Sequence, residues 1–146
     1  MSHTHLLYHI VYATKNRLPL IRESWESTLY KQMGRIVHGN HGVPIEINGM
    51  SDHVHLLVRI EPVISISDFL CKLKAGSSGW TRRTHEPKFR WQRRYGALSV
   101  SESVSDAVRR YIKNQKQHHK QQTFEDEYKE LLKLHHVEFD ERYLWE

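Results

Sequence analysis

The sequence carries a single cysteine, Cys71, in 146 residues. An intramolecular disulfide and a cysteine-ligated zinc site are therefore excluded, and a reducing compartment, the cytoplasm, is expected. No apolar run approaches the ~20 residues that span a bilayer, so no membrane partner is expected. The start, Met1-Ser2-His3-Thr4-His5, lacks the basic stretch and apolar core of a secretory leader. Internal repeats, low-complexity tracts and linker-like segments are also missing, and one domain over residues 1–146 is expected. What the chain does have is 38% hydrophobic residues, 10% aromatics and a formal charge of +5. The first two are enough to build a core. The positive excess is concentrated in Arg82-Arg83-Thr84-His85-Glu86-Pro87-Lys88-Phe89-Arg90-Trp91-Gln92-Arg93-Arg94, whereas the chain from Thr123 onward leans acidic. Such a local basic surface suits a polyanion such as nucleic acid.

Leu6–Ala13 is rich in strand formers and apolar on both faces, which predicts a central strand. Lys15–Pro19 reads as a basic loop. A helix is predicted from about Glu23 to His38, with Trp25, Leu29, Met33 and Ile36 as its buried stripe and Gly39-Asn40-His41-Gly42 as its end. A strand near Val43–Met50 and a second from His53 follow, joined tightly by Ser51-Asp52 as in a hairpin. Ser65-Ile66-Ser67-Asp68 has capping-box spacing and opens a helix that Gly76-Ser77-Ser78-Gly79 is expected to interrupt. Residues 82–94 read as irregular, and Tyr95–Ser101 alternates like a strand. Ser103-Val104-Ser105-Asp106 predicts a helix to about His119, and Thr123-Phe124-Glu125-Asp126 another to about His135, ahead of a docked aromatic tail. The order βαββαβ predicts an α+β, ferredoxin-like (RRM-like) fold: an antiparallel sheet with helices on one face, plus a C-terminal helix bearing Tyr111. The opposite face is expected to stay at least partly free for ligands.

The chemistry centres on His53-Val54-His55. Strand side chains alternate, so the two imidazoles share a face, roughly 6–7 Å apart along the strand, while Val54, Leu56, Val58 and Ile60 line the other. Two neutral imidazoles can converge on one divalent cation. On the later helix Tyr111 and Gln115 stand one turn apart on one face. A tyrosine hydroxyl can serve as a covalent nucleophile, and an amide oxygen can join a Mg²⁺ or Mn²⁺ shell. Val104, Val108, Tyr111 and Gln115 also form one continuous stripe, which a core-packed Tyr111 explains equally well. His118-His119 and His135-His136 read as surface pairs. Spacing alone leaves the function open.

Beyond spacing, the chain resembles the insertion-sequence-200-like single-tyrosine HUH transposases, of the REP-associated tyrosine transposase superfamily. The resemblance is carried in order by Leu7–Lys15, Ser51–Val58, Trp91–Ser101, Arg110–His119 and Phe139–Trp145. It implies His53, His55 and Gln115 as ligands of Mg²⁺ or Mn²⁺, and Tyr111 as a nucleophile that leaves a 5′-phosphotyrosine link and a free 3′-hydroxyl. It also implies single-stranded DNA with hairpin ends as partner, and a homodimer in which the tyrosine helix can complete the other subunit's site, with Leu7–Ala13 as the joining edge. Lys15, Arg17, Arg82, Arg83, Lys88, Arg90, Arg93 and Arg94 are then phosphate-contact candidates, with Phe89 and Trp91 for base stacking. Two alternatives stay open: a domesticated relative that processes chromosomal repeat hairpins, and a noncatalytic nucleic-acid-binding module.

Overall fold

The computed structural model describes residues 2–146. Four strands, β1 (Leu7–Ala13), β2 (Gly42–Met50), β3 (His53–Ile60) and β4 (Gly96–Val100), form one antiparallel sheet in the order β2-β3-β1-β4. Helices α1 (Glu26–Gly39) and α2 (Ile66–Thr84) follow β1 and β3 in the chain, giving the ferredoxin-like α+β order. Three further helices, α3 (Ser105–Lys113), α4 (Gln115–His118) and α5 (Phe124–Leu134), follow β4. No helix among the described residues is long and apolar enough to cross a membrane.

Strand alternation divides the molecule into two cores. Ile10 and Tyr12 of β1 and Val54, Leu56, Val58 and Ile60 of β3 meet Leu29, Met33 and Val37 of α1 and Phe69, Leu70 and Leu73 of α2. On the opposite face Val11 and Ala13 pack against Phe124, Tyr128 and Leu132 of α5 and against Leu144. The face expected to be free is therefore covered, and His53 and His55 are fully buried. The reason is α5, whose apolar stripe needs a partner.

Other expectations are corrected in detail. β1 is hydrogen-bonded on both sides, to β3 and β4, and so offers no free edge to a second copy. α2 runs unbroken through Gly76–Gly79. Its small residues do not end it, because Ser77 Oγ donates to Leu73 O at 2.6 Å and Thr81 Oγ1 to Ser77 O at 2.7 Å. A side chain at Gly76 would meet Ile36 of α1 at 3.0 Å, so the glycine lets the two helices close together. Ser65 and Thr123 cap α2 and α5 as the capping boxes predict, accepting from Asp68 N and Asp126 N. Ser103 does not cap α3; a 3-10 turn capped by Ser101 precedes it, and the helix then breaks at Asn114.

Candidate active site

β3 pairs His53 with Ala13 and Met50, and His55 with Val11 and Asn48, so both imidazoles sit on a strand held from both sides. A slip of one residue would turn them into the opposite core, and double pairing prevents it. His53 Nδ1 donates to Asp52 Oδ1 at 2.8 Å, and its ring stacks on Phe124 with centroids 3.7 Å apart. His55 Nδ1 lies 2.8 Å from Nε2 of His9, on β1. Burial keeps both His9 and His55 neutral, lowering them to about 3 and about 4.

The break at Asn114 turns Gln115 inward. Asn48 Nδ2 donates to Ile112 O (3.0 Å) and Lys113 O (3.1 Å), satisfying the last carbonyls of α3. Lys116 Nζ donates to Gly49 O and pairs with Glu26 Oε2 at 3.0 Å. With both helix pieces pinned to β2, Gln115 is fully buried, its Oε1 lying 3.3 Å from His53 Nε2 and 3.0 Å from His119 Nε2. Tyr111, half-buried, sits over the same histidines, 5.8 Å from His55 and 6.1 Å from His9 between ring centroids. Its hydroxyl donates to Glu127 Oε2, which also accepts from Gln115 Nε2 at 3.2 Å.

Glu127, carried by α5 and only 1% exposed, stands at the centre. Its Oε1 lies 2.9 Å from His55 Nε2, 3.1 Å from His119 Nε2 and 3.7 Å from His53 Nε2. Burial opposes its charge, but hydrogen bonds from His119, His55 and Tyr111 outweigh burial and hold the carboxyl far below the usual range. His119 shifts the other way: burial opposes its charge too, yet the Glu127 hydrogen bond and charge raise it. Burial first, and the Glu127 carboxylate second, push the Tyr111 phenol up, so the phenol is protonated here. One ligand atom from each of His53, His55, His119 and Glu127 lies within 4.8 Å of the others. These donors, with Gln115 Oε1 beside them, fit a divalent cation.

The structure thus brings His53, His55, Tyr111 and Gln115 together within one chain. Two neighbours were missed. His119 reads as surface from its adjacency to His118, but the turn after α4 brings it inward. Glu127 had a sequence signal: it falls three residues after Phe124 and one before Tyr128, inside the buried stripe of α5. The stripe on α3 is also shifted, for Val104 is exposed and Ile112 carries the packing.

The basic candidates divide. Lys15, Arg82, Arg90 and Arg93 line one open groove of about 960 Å³, together with Lys74 and Tyr95. Lys74 is structural, since its Nζ donates to the carbonyls of Gln92, Arg93 and Arg94 at 2.8, 3.2 and 2.9 Å. Arg17 stacks on Trp145 at 4.7 Å, Arg94 pairs with Glu146 at 3.3 Å, and Arg83 and Lys88 are not among the residues lining that groove. The stacking expectation for Phe89 and Trp91 is corrected. Phe89 is fully buried; Trp91 is wedged edge-on between it (4.7 Å) and Tyr12 (4.9 Å), its Nε1 donating to Ser77 Oγ at 2.9 Å. Phe89 serves the core alone, whereas Trp91 serves the core and also lines the groove.

Comparisons with known proteins identify the family and the fold. The family profile described as "Transposase IS200 like" matches residues 2–115. ISDra2 transposase TnpA of Deinococcus radiodurans is 30% identical over 119 residues, spanning 75% of this chain and 84% of that protein. A crystal structure of a proposed transposase from D. radiodurans R1 superposes with a TM-score of 0.63 at 28% identity, covering 78% of this chain and 93% of that one. The REP-associated tyrosine transposase bound to a REP hairpin shares the fold alone, with a TM-score of 0.54 at 10% identity over 79% of this chain and 68% of that one. The chain belongs to the IS200-like transposase family, whose members cleave and transfer DNA strands.

Proposed function

We propose that the chain is a single HUH transposase domain over residues 1–146 that cuts single-stranded DNA near hairpin ends and rejoins it through a 5′-phosphotyrosine intermediate. Tyr111 is the nucleophile: its Oη bonds to phosphorus while the bond to the 3′-oxygen breaks, and that oxygen leaves as a 3′-hydroxyl. Because the phosphotyrosine keeps the ester bond energy, a later 3′-hydroxyl can reverse the exchange without ATP. His53, His55 and Gln115 would hold Mg²⁺ or Mn²⁺, which when bound supplies Lewis-acid stabilisation of phosphate charge. The observation that carries the reading is the convergence of Tyr111 with the buried His53/His55 pair in one chain, which favours a cis arrangement. A homodimer remains part of the reading, with β4, which pairs only with β1 among the described strands, as the edge in place of β1.

DNA lies along the groove of Lys15, Arg82, Arg90 and Arg93, which ends at Trp145. Trp145 and Phe124, in contact at 5.2 Å, and then His53, stacked on Phe124 at 3.7 Å, separate this groove from the histidine cluster. The test is a labelled single-stranded hairpin oligonucleotide from the element's end, incubated with Mn²⁺ and run on a denaturing gel. A protein-linked product is expected, and Tyr111→Phe should lose it while keeping hairpin binding. Binding without any adduct across a full panel of end sequences would sink the reading in favour of a noncatalytic binding module.

A further inference from the structure

We propose that His119 and Glu127 are metal ligands in their own right, forming with His53 and His55 a three-imidazole, one-carboxylate centre that takes a first-row transition ion in preference to Mg²⁺. This rests on the metal-dependent reading above and adds to it a ligand count and a class of ion. The first support is how the rings are anchored. A ligating imidazole is held in place through its remote nitrogen by a hydrogen-bond partner. All three rings meet that condition on Nδ1: His53 with Asp52 Oδ1 (2.8 Å), His119 with Gln122 O (2.9 Å) and His55 with His9 Nε2 (2.8 Å). Their Nε2 atoms are what converge on Glu127.

Spacing is the second support. Ligands bonded to one ion at about 2.0–2.2 Å in a tetrahedral shell stand about 3.3 Å from one another. Glu127 Oε1 stands 2.9, 3.1 and 3.7 Å from the three Nε2 atoms, bracketing that separation. Charge is the third. Every basic partner within ion-pair distance of this buried carboxylate, among the described residues, is a histidine, with no lysine or arginine beside it. A carboxylate so placed is well matched by a cation at the centre of the ring.

The donor set then selects the ion. Imidazole nitrogen suits first-row transition ions, Zn²⁺ foremost, whereas Mg²⁺ favours an oxygen shell and retains its waters. Gln115 Oε1, 3.0 Å from His119 Nε2 and 3.3 Å from His53 Nε2, is available as a fifth donor to an ion that accepts one. The second oxygen of Glu127 accepts the Tyr111 hydroxyl, so a single carboxylate ties the phenol to the metal centre.

The test is X-ray absorption spectroscopy of the full wild-type chain loaded with Zn²⁺, beside calorimetric titrations of metal-free protein with Mn²⁺, Zn²⁺ and Mg²⁺. Three imidazoles per ion are expected, and Mg²⁺ in large excess should not displace Mn²⁺. Glu127→Gln and His119→Ala should each weaken Mn²⁺ binding by more than about 100-fold, beyond the 10–100-fold that losing an outer partner costs. Two imidazoles in the wild-type spectrum, unchanged affinity in folded variants, or ready displacement by Mg²⁺ would overturn the proposal. The spectrum decides the matter even if a variant fails to fold. Ion uptake through two imidazoles, lost in His53→Ala, would leave the transposase reading intact; no uptake of any ion would remove both.

Discussion

Acidification should destabilise this fold through two buried imidazoles, and the size of the effect follows from their surroundings. Burial lowers His9 from 6.5 to about 3 and His55 from 6.5 to about 4, so the native state refuses protons that the unfolded chain accepts below 6.5. A lowered histidine contributes stability that is lost as the pH falls from the unfolded value towards the folded one. At 1.36 kcal/mol per pH unit, with unfolded imidazoles already half protonated at pH 6.5, each group costs about 1.6 kcal/mol by pH 5, about 3 together. The neighbours do not mask this window. His119 is raised, so its contribution is complete below 6.5 and is lost only as the pH rises through its folded value. Glu127 is lowered from 4.5, so its contribution is present above that value and lost only at lower pH. The assay is urea unfolding followed by circular dichroism, with a chelator present because ions and protons compete for imidazole. With an m-value of about 2 kcal/mol per molar, the midpoint should fall by about 1.5 M between pH 6.5 and 5. His9→Gln, which removes one titrating group, should roughly halve that fall. A midpoint that moves by less than about 0.4 M, or equal acid sensitivity in His9→Gln, would refute the reasoning.

Leu56→Ala, in the core between sheet, α1 and α2, should cost about 2–5 kcal/mol of unfolding free energy by the same urea assay. Gly96→Ala should act at a distance: its Cβ would stand 2.9 Å from the Tyr128 ring, shifting α5 and with it Glu127. Calorimetry should then show weaker Mn²⁺ binding although neither residue is a ligand, and unchanged binding would mean that β4 does not seat α5. Replacing Arg82, Arg90 and Arg93 together by Ala should weaken single-stranded DNA binding and flatten its logarithmic salt dependence by about 2, at ~0.7 per phosphate contact. Fluorescence anisotropy across a salt series measures this, and an unchanged slope would exclude the groove as the DNA path.

Much of the fold is legible in short-range pattern. The alternation in His53–Ile60 separates imidazoles from core residues, and the boxes at Ser65 and Thr123 mark two helix starts, because both signals are local. Long-range packing is what the pattern does not carry. Nothing within Ser105–Gln115 alone announces the break at Asn114, because the group that takes up the freed carbonyls of Ile112 and Lys113 is Asn48, which is distant in sequence. Likewise Gly76–Gly79 looks like an interruption until Ile36 of α1 is seen against Gly76. Phe89 and Trp91 resemble stacking residues only because they sit among arginines; the isolated bridge from Trp91 to Thr14 pulls their segment onto the sheet end and their rings inward. The site was half legible for the same reason. His53 and His55 declare themselves through spacing on one strand, whereas His119 and Glu127 join them only after a turn and a helix have folded back over the sheet.

That late closure bears on how the site can work. The first core is all but hydrocarbon and locks β3 between β1 and β2, so two of the histidines stand on a strand with almost no freedom to move. The second core is mixed: His9, His53, His55, Gln115 and Glu127 are all buried there, each with a hydrogen-bond partner. Burying that many polar groups is tolerable only while every one stays paired. The element that completes the pairing, α5, packs through Phe124, Tyr128 and Leu132 on a small apolar set of Val11, Ala13 and Leu144. Rigid ligands therefore lie on the sheet and a lightly anchored carboxylate lies on the cover. A phosphate entering beside Tyr111 must compete with Glu127 for the phenol's hydrogen bond, and α5, packed on the smaller core, yields at lower energetic cost than β3. Local opening of α5 should accordingly be detectable by amide exchange at lower free energy than opening of β3, because the cover and the strand answer to different cores.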